Sequence, residues 1–192
     1  MKKQLCSLLT ALALAVVLLP SAARAAENAP SFADVTAAAW YADAVQYVYE
    51  NGLMTGVSES EFAPDGTATR GQIVTILWRL AGSPVVNYAM RYADVDEGAW
   101  YGEAVRWAAS TGVVTGYTES SFGPNDAITR EQLAAILYRY IKTQGQGFTG
   151  MWYFPLRYDD AASISDWADE AMHWCVMKGV LNGTGETTLS PQ

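Results

Sequence analysis

Histidine, cysteine and basic side chains are scarce in this chain. There is one histidine, His173, and two cysteines, Cys6 and Cys175. An ordinary zinc site needs three or four such ligands or carboxylates gathered together, and the sequence does not gather them. No metal and no cofactor is expected. Lys and Arg number 12 against 20 Asp and Glu, a formal charge of −8. So acidic a chain argues against nucleic acid as a partner, because phosphates reward basic patches. Long apolar runs are absent except near the N-terminus, so the mature chain is expected to have no membrane anchor.

That one run belongs to an export leader. Lys2 and Lys3 precede the uncharged stretch Leu8 to Leu19, and Ala23-Arg24-Ala25 fits a small-x-small cleavage pattern. The expected signal peptide is 1–25, with cleavage after Ala25. Its removal takes away three cations and no acid, so the formal charge moves from −8 to −11. Cys6 leaves with it. Cys175 then stands alone, which rules out an internal disulfide.

What the chain does have is a repeat. Phe32-Ala33-Asp34-Val35 returns as Tyr92-Ala93-Asp94-Val95, Trp40-Tyr41 as Trp100-Tyr101, Thr55-Gly56 as Thr115-Gly116, and Phe62-x-Pro64 as Phe122-x-Pro124. Thr69-Arg70 returns as Thr129-Arg130, all in a register of 60 residues. A third copy opens at Tyr158-Asp159-Asp160 and runs through Trp167, Gly179 and Gly183 to Leu189-x-Pro191, mostly in a register of 67. Copies this short cannot bury their own apolar faces, so they should pack on one another.

Each copy reads as helix, loop, helix. In the first helix, Tyr41, Ala44, Val45, Val48 and Tyr49 share one face, as do Tyr101, Ala104, Val105, Ala108 and Ala109, and Ala168, Ala171, Met172, Cys175 and Val176. Gly52, Gly112 and Gly179 follow as left-handed caps. Thr69-x-x-Gln72 and Thr129-x-x-Gln132 are capping boxes that open the second helices. Ile73, Ile76, Leu77 and Leu80, and Leu133, Ile136, Leu137 and Tyr140, are the expected core stripes. Tyr47, Trp107 and Trp174 share a register off the first-helix stripe and are placed at the seams between copies. Cys175 should be an inert core thiol, and His173 lies on the polar face. The reading is all-α: tandem helix–loop–helix repeats at 31–84, 91–143 and 158–192, with a linker at 144–157. The third copy stops before a Thr-Arg helix, which would leave apolar surface open and room for self-association.

Together these motifs resemble the S-layer homology domain. The elements that carry the resemblance are the F/Y-x-D-V entry, the W-Y pair, the G-x-x-T-G turn, F-x-P, and the T-R pair. The resemblance implies a pseudo-threefold arrangement of repeats. It also implies non-covalent attachment of an exported protein to secondary cell-wall polysaccharide, or a peptidoglycan-linked glycan, often pyruvylated, in grooves between repeats at the cell surface. Arg70 and Arg130 match the arginine of the family's T-R-A-E motif, and Thr69 and Thr129 match its threonine. Gln72 and Gln132 replace its glutamate, and Gly71 and Glu131 its alanine.

A guanidinium in the first turn of a helix suits a carboxylate, since helix N-termini offer free N–H groups. The candidate ligand-binding residues are therefore Arg70, Arg130, Thr69, Thr129, Asp34, Asp94, Asp160, Trp40, Trp100 and Trp167. For the aspartates, a turn-closing role and a ligand contact are both open. For the tryptophans, core packing is set against stacking on sugar. No catalytic residue is proposed, since no carboxylate pair stands apart from the repeats. The alternative to a glycan anchor is a structural or protein-interaction module that assembles with other surface chains.

Overall fold

The computed structural model describes residues 32–192. The leader expected at 1–25 lies outside the described residues. Five helices occur among them: α1 (Ala42–Glu50), α2 (Arg70–Leu80), α3 (Gly102–Thr111), α4 (Arg130–Thr143) and α5 (Asp169–Met177). Two 3₁₀ turns, Ala161–Ser163 and Asp166–Ala168, lead into α5. The fold is all-α. Two compact units divide the chain after Pro64.

The helix ends follow the sequence closely. At α2 the Thr69 hydroxyl accepts from the Gln72 N–H at 3.3 Å, and the Gln72 side chain accepts from the Thr69 N–H at 2.8 Å. The same box opens α4 through Thr129 and Gln132. The expected glycines Gly52, Gly112 and Gly179 have φ of +66°, +73° and +68°, the left-handed geometry that ends the first helices.

The first unit contains α1. Its small core is Phe32, Val45 and Phe62. The Phe32 ring meets Tyr49 edge-on at 5.5 Å and lies tilted on Phe62 at 5.4 Å. Val45 is buried, but Ala44 and Tyr47 of the same helix are exposed.

The second unit holds the other four helices, which pair as α2 with α3 and α4 with α5. The second helix of each copy thus packs on the first helix of the next copy. Val74 and Leu77 join Ala104, Val105, Trp107, Ala108 and Phe122 in one core. Ala134, Ala135 and Tyr138 join Ala171, Met172, Trp174, Cys175 and Leu189 in the next. Trp107 and Trp174 are buried at these seams, as their shared register suggested, whereas Tyr47 is 60% exposed.

The expected stripe on the second helices needs correction. On α2 the fully buried residue is Val74, with Leu77 and Thr75, while Ile73 and Ile76 are half-buried and Leu80 is exposed. On α4 the expected Ile136 is buried, but so are Ala134, Ala135 and Tyr138. The reason is that α4 serves two cores. Ile136 faces the first, and Ala134, Ala135 and Tyr138 face the second. A single 3.6-residue stripe cannot describe a helix buried on two sides.

Candidate functional site

The three entry aspartates have one job in common. The Asp94 carboxylate accepts N–H bonds from Phe122 and Gly123 at 2.8 Å each, and a 3.0 Å bond from the Ser121 hydroxyl. Asp34 accepts from Phe62 at 2.9 Å and Ala63 at 2.6 Å. Asp160 accepts from Leu189 at 2.9 Å and Ser190 at 2.7 Å. Each carboxylate thereby clasps the F-x-P or L-x-P loop of its own copy. The residue between the aromatic or leucine and the proline is left-handed in all three: Ala63 at φ +59°, Gly123 at +70° and Ser190 at +51°. The bonds from Phe62 and Ala63 hold Asp34 below the usual carboxylate range, and those from Leu189 and Ser190 do so for Asp160. Burial pushes Asp94 up, but its three donors outweigh that and leave it lowered as well.

The motif arginines grip the same loops from the other side. Arg70 donates from Nε to the Phe122 carbonyl at 2.9 Å and from Nη2 to the Thr115 carbonyl at 3.2 Å. Its guanidinium lies 4.4 Å from the Tyr117 ring centre and 4.7 Å from that of Phe122. Arg130 repeats the grip one copy later, with Nε on the Leu189 carbonyl at 2.8 Å and Nη2 on the Asn182 carbonyl. Arg70 is 4% exposed. Each arginine therefore locks its helix onto the loop of the following copy. The structure brings Arg70 and Asp94 together on Phe122, and Arg130 and Asp160 together on Leu189.

The free N–H groups expected at these helix starts are occupied. The Arg70 and Gly71 N–H groups donate to the carbonyls of Asp126 and Pro124 at 3.0 and 2.9 Å, and the Glu131 N–H donates to that of Pro191 at 2.8 Å. Thr69 and Thr129 are committed to their caps. A carboxylate cannot use donors that the next copy's loop has already taken. Glu131 itself is buried and accepts from the Ser165 N–H at 2.9 Å and hydroxyl at 3.0 Å, another bond across the second seam.

These clasped loops and gripping arginines coincide with the three segments that match the S-layer homology domain, residues 31–74, 91–134 and 157–192. The chain belongs to this family. It is 28% identical to the S-layer protein of Bacillus thuringiensis subsp. finitimus over 193 residues, covering 100% of this chain and 22% of that protein. The surface-layer 125 kDa protein of Lysinibacillus sphaericus is 28% identical over 155 residues, covering 78% of this chain and 12% of that one. The amylopullulanase of Thermoanaerobacterium thermosulfurigenes is 27% identical over 159 residues, 80% of this chain but 8% of the enzyme. The chain thus spans less than a quarter of the length of each of these relatives, and it meets the enzyme through the S-layer homology region.

Within this S-layer homology domain the register tryptophans are not core residues. Trp40 is 93% exposed, Trp100 58% and Trp167 55%. The buried ring beside Trp100 is its neighbour Tyr101, which meets it edge-on at 5.1 Å and lies against Gly71. The W-Y pair divides its labour: in copy two the tyrosine packs and the indole stays outside.

One residue escaped the sequence reading. Arg139 of α4 is half-buried, and its hydrogen bond is a long one, 3.5 Å to the Thr115 hydroxyl. The same Thr115 takes Arg70 through its carbonyl. Among the described residues no carboxylate forms an ion pair with either arginine. Burial lowers both pKa values; at Arg70 the charges of Tyr117, Asp126 and Tyr92 work against that lowering, and Arg139 adds a smaller push downward. Arg79 stands at the same register one copy earlier, which was the available signal. Elsewhere, among the described residues no cluster of ligands suits a metal, and no helix is long and apolar enough to cross a membrane.

Proposed function

We propose that this S-layer homology domain holds an exported protein non-covalently on the cell wall by binding an acidic secondary wall polysaccharide. A pyruvate ketal suits the seam between α2 and copy two. The observation that carries the reading is the pair Arg70 and Arg139, two guanidinium groups meeting at Thr115; among the described residues neither is in an ion pair, and Asp126 is the acid whose charge reaches Arg70. Cations gathered in a partly dehydrated place are suited to an anion from outside. Arg70 has its Nε and one Nη2 bond on carbonyls, and the described residues supply no acceptor for Nη1. Trp40, Trp100 and Trp167 offer flat apolar faces for sugar rings. The location is the cell surface, and the module performs no turnover. On this reading each second helix serves the first helix of the next copy round a pseudo-threefold arrangement; the identical grips at the two seams support it.

Arg139→Gln and Trp100→Ala test the site with little effect on folding, because one side chain makes a single long bond and the other is exposed. Sedimentation with purified walls should show binding weakened about tenfold or more in each variant, the equivalent of about 1.4 kcal/mol. Walls stripped of their secondary polymer should bind none of the forms. Wild-type binding by the double variant would end the glycan reading.

A further inference from the structure

The apolar surface expected to lie open in copy three is not on α5, whose inner face packs on α4. It lies in the linker expected at 144–157. From Met151 to Arg157 the side chains alternate, the pattern of an extended ribbon. Trp152, Phe154 and Leu156 turn inward and are half-buried. Met151 is fully exposed, Tyr153 is 88% exposed, and Pro155 and Arg157 are exposed as well.

The ribbon is held from behind. The Phe148 N–H donates to the Tyr138 hydroxyl at 3.0 Å. The Trp152 ring stacks on Phe148 at 4.3 Å and meets His173 at 5.2 Å. Phe148 and Leu156 pack against the core shared by α4 and α5. Among the described residues the backbone of 149–157 makes no hydrogen bond. A ribbon fixed in extended form with its backbone unpaired is a template for another strand.

The entry to copy two is built the same way 66 residues earlier. There Val86, Tyr88 and Met90 turn inward, and Val85, Asn87, Ala89 and Arg91 turn outward. The fold therefore needs an extended entry at both places. It does not need Tyr153 where Asn87 stands, or Met151 where Val85 stands.

We infer that residues 151–157 are a pairing edge for a second copy of this chain, joined antiparallel about a twofold axis at Tyr153. Charge selects the occupant. Residues 143–156 carry no charged side chain, whereas the chain without its leader has a formal charge of −11. Two such chains repel, and a charge-free face is where they meet at least cost. A twofold contact also needs only one patch, used twice. Pro155 then sets the register, because it has no N–H and must stand where no bond runs to the partner. Centring the pair on Tyr153 meets that condition. Trp152 and Phe154 exchange the backbone bonds, Met151 faces Pro155, and Tyr153 faces its own copy at a position where side chains approach most closely. Arg157 faces Thr149, so no like charges are opposed. The ribbon is short, so the contact falls below about 1,200 Å² and the pairing is weak. None of this depends on polysaccharide binding.

Sedimentation velocity of the mature chain between about 10 µM and about 1 mM should show a monomer–dimer equilibrium. Tyr153→Lys sets two cations face to face, and should weaken the dimer about tenfold or more without changing the melting temperature. Register is read by cross-linking. Tyr153→Cys should link to itself under mild oxidation, since the Cα atoms of such a pair lie about 4.5 Å apart. Pro155→Cys should not link to itself but should link to Met151→Cys. Buried Cys175 stays out of the reaction. A chain that is monomeric at about 1 mM overturns the inference. So does a dimer that Tyr153→Lys leaves intact, or self-linking of Pro155→Cys as fast as that of Tyr153→Cys. A monomeric chain whose sedimentation with purified walls is weakened by Tyr153→Lys also overturns it, and assigns the ridge to glycan.

Discussion

Replacing Arg70 by alanine asks whether this residue is first a clamp or first a ligand contact. The side chain makes two charge-assisted bonds to carbonyls and two ring contacts, and it is 4% exposed. At about 1.5–3 kcal/mol per charged bond and about 0.5–1 kcal/mol per ring contact, the gross loss is about 4–8 kcal/mol. Removing a buried cation also removes its desolvation cost, which offsets part of that. A net destabilisation of about 2–4 kcal/mol follows. In a domain of this size it corresponds to a melting temperature lower by about 5–15 °C. Arg130→Ala is the internal control. It loses the same two carbonyl bonds, but it is half-buried, and Thr184 stands where Tyr117 stands for Arg70. Its cost should be about half as large. Urea unfolding of the mature protein, followed by tryptophan fluorescence, measures both. An Arg70→Ala midpoint equal to wild type, or a larger loss for Arg130→Ala, would refute the clamp. Arg70→Ala should therefore cost folding stability as well as any ligand contact, because the guanidinium is built into the seam.

Gly116→Ala should lower stability by about 1–3 kcal/mol, since a Cβ there would stand 2.3 Å from the Ser121 carbonyl oxygen and 2.5 Å from the Tyr92 ring; an unchanged melting temperature would contradict that close approach. Asp94→Asn should flatten the acid limb of the stability curve. The folded carboxyl is held below its ordinary value of 3.8, so its contribution is present above that pH and is lost as pH falls through the lower folded value. Denaturant midpoints at pH 7 and pH 3 should therefore differ less in the variant than in wild type. Cys175, buried with its thiol pushed up to about 12 by that burial, should resist a thiol reagent at pH 8 in the native protein and react fully in denaturant; rapid native labelling would place it outside the core.

Much of this architecture is legible in the sequence because repeats make local signals redundant. The capping boxes at Thr69 and Thr129 and the glycine caps at Gly52, Gly112 and Gly179 are set by neighbours within a few residues, so local chemistry suffices. What the pattern could not show is partnership. Ile73 and Leu80 fit a helical stripe as well as Val74 does, and only the placement of α3 decides among them. Exposure of Trp100 beside buried Tyr101 is equally invisible, since both are large and aromatic. For the candidate site, the registers of Arg70 and Asp94 were plain, yet their shared attachment to Phe122 comes from folding over 52 and 28 residues respectively. Arg139 was missed because a basic residue near a helix end has an ordinary explanation.

The offset between repeat and packed pair bears on how such a chain changes copy number. A finished helix pair runs from Asp65 to Pro124, across the junction between copies. Both second helices, α2 and α4, pack on the first helix that follows them. In-frame unequal crossing-over can therefore add or delete one period, wherever the break falls, and each new junction inherits a working pair. The spacing of copy three fits that history. Its register is longer by seven residues; six of them precede Tyr158 and the seventh falls in the turn before Trp167. All seven lie between the paired helices α4 and α5, so the join has lengthened while the pairing surface has kept its register.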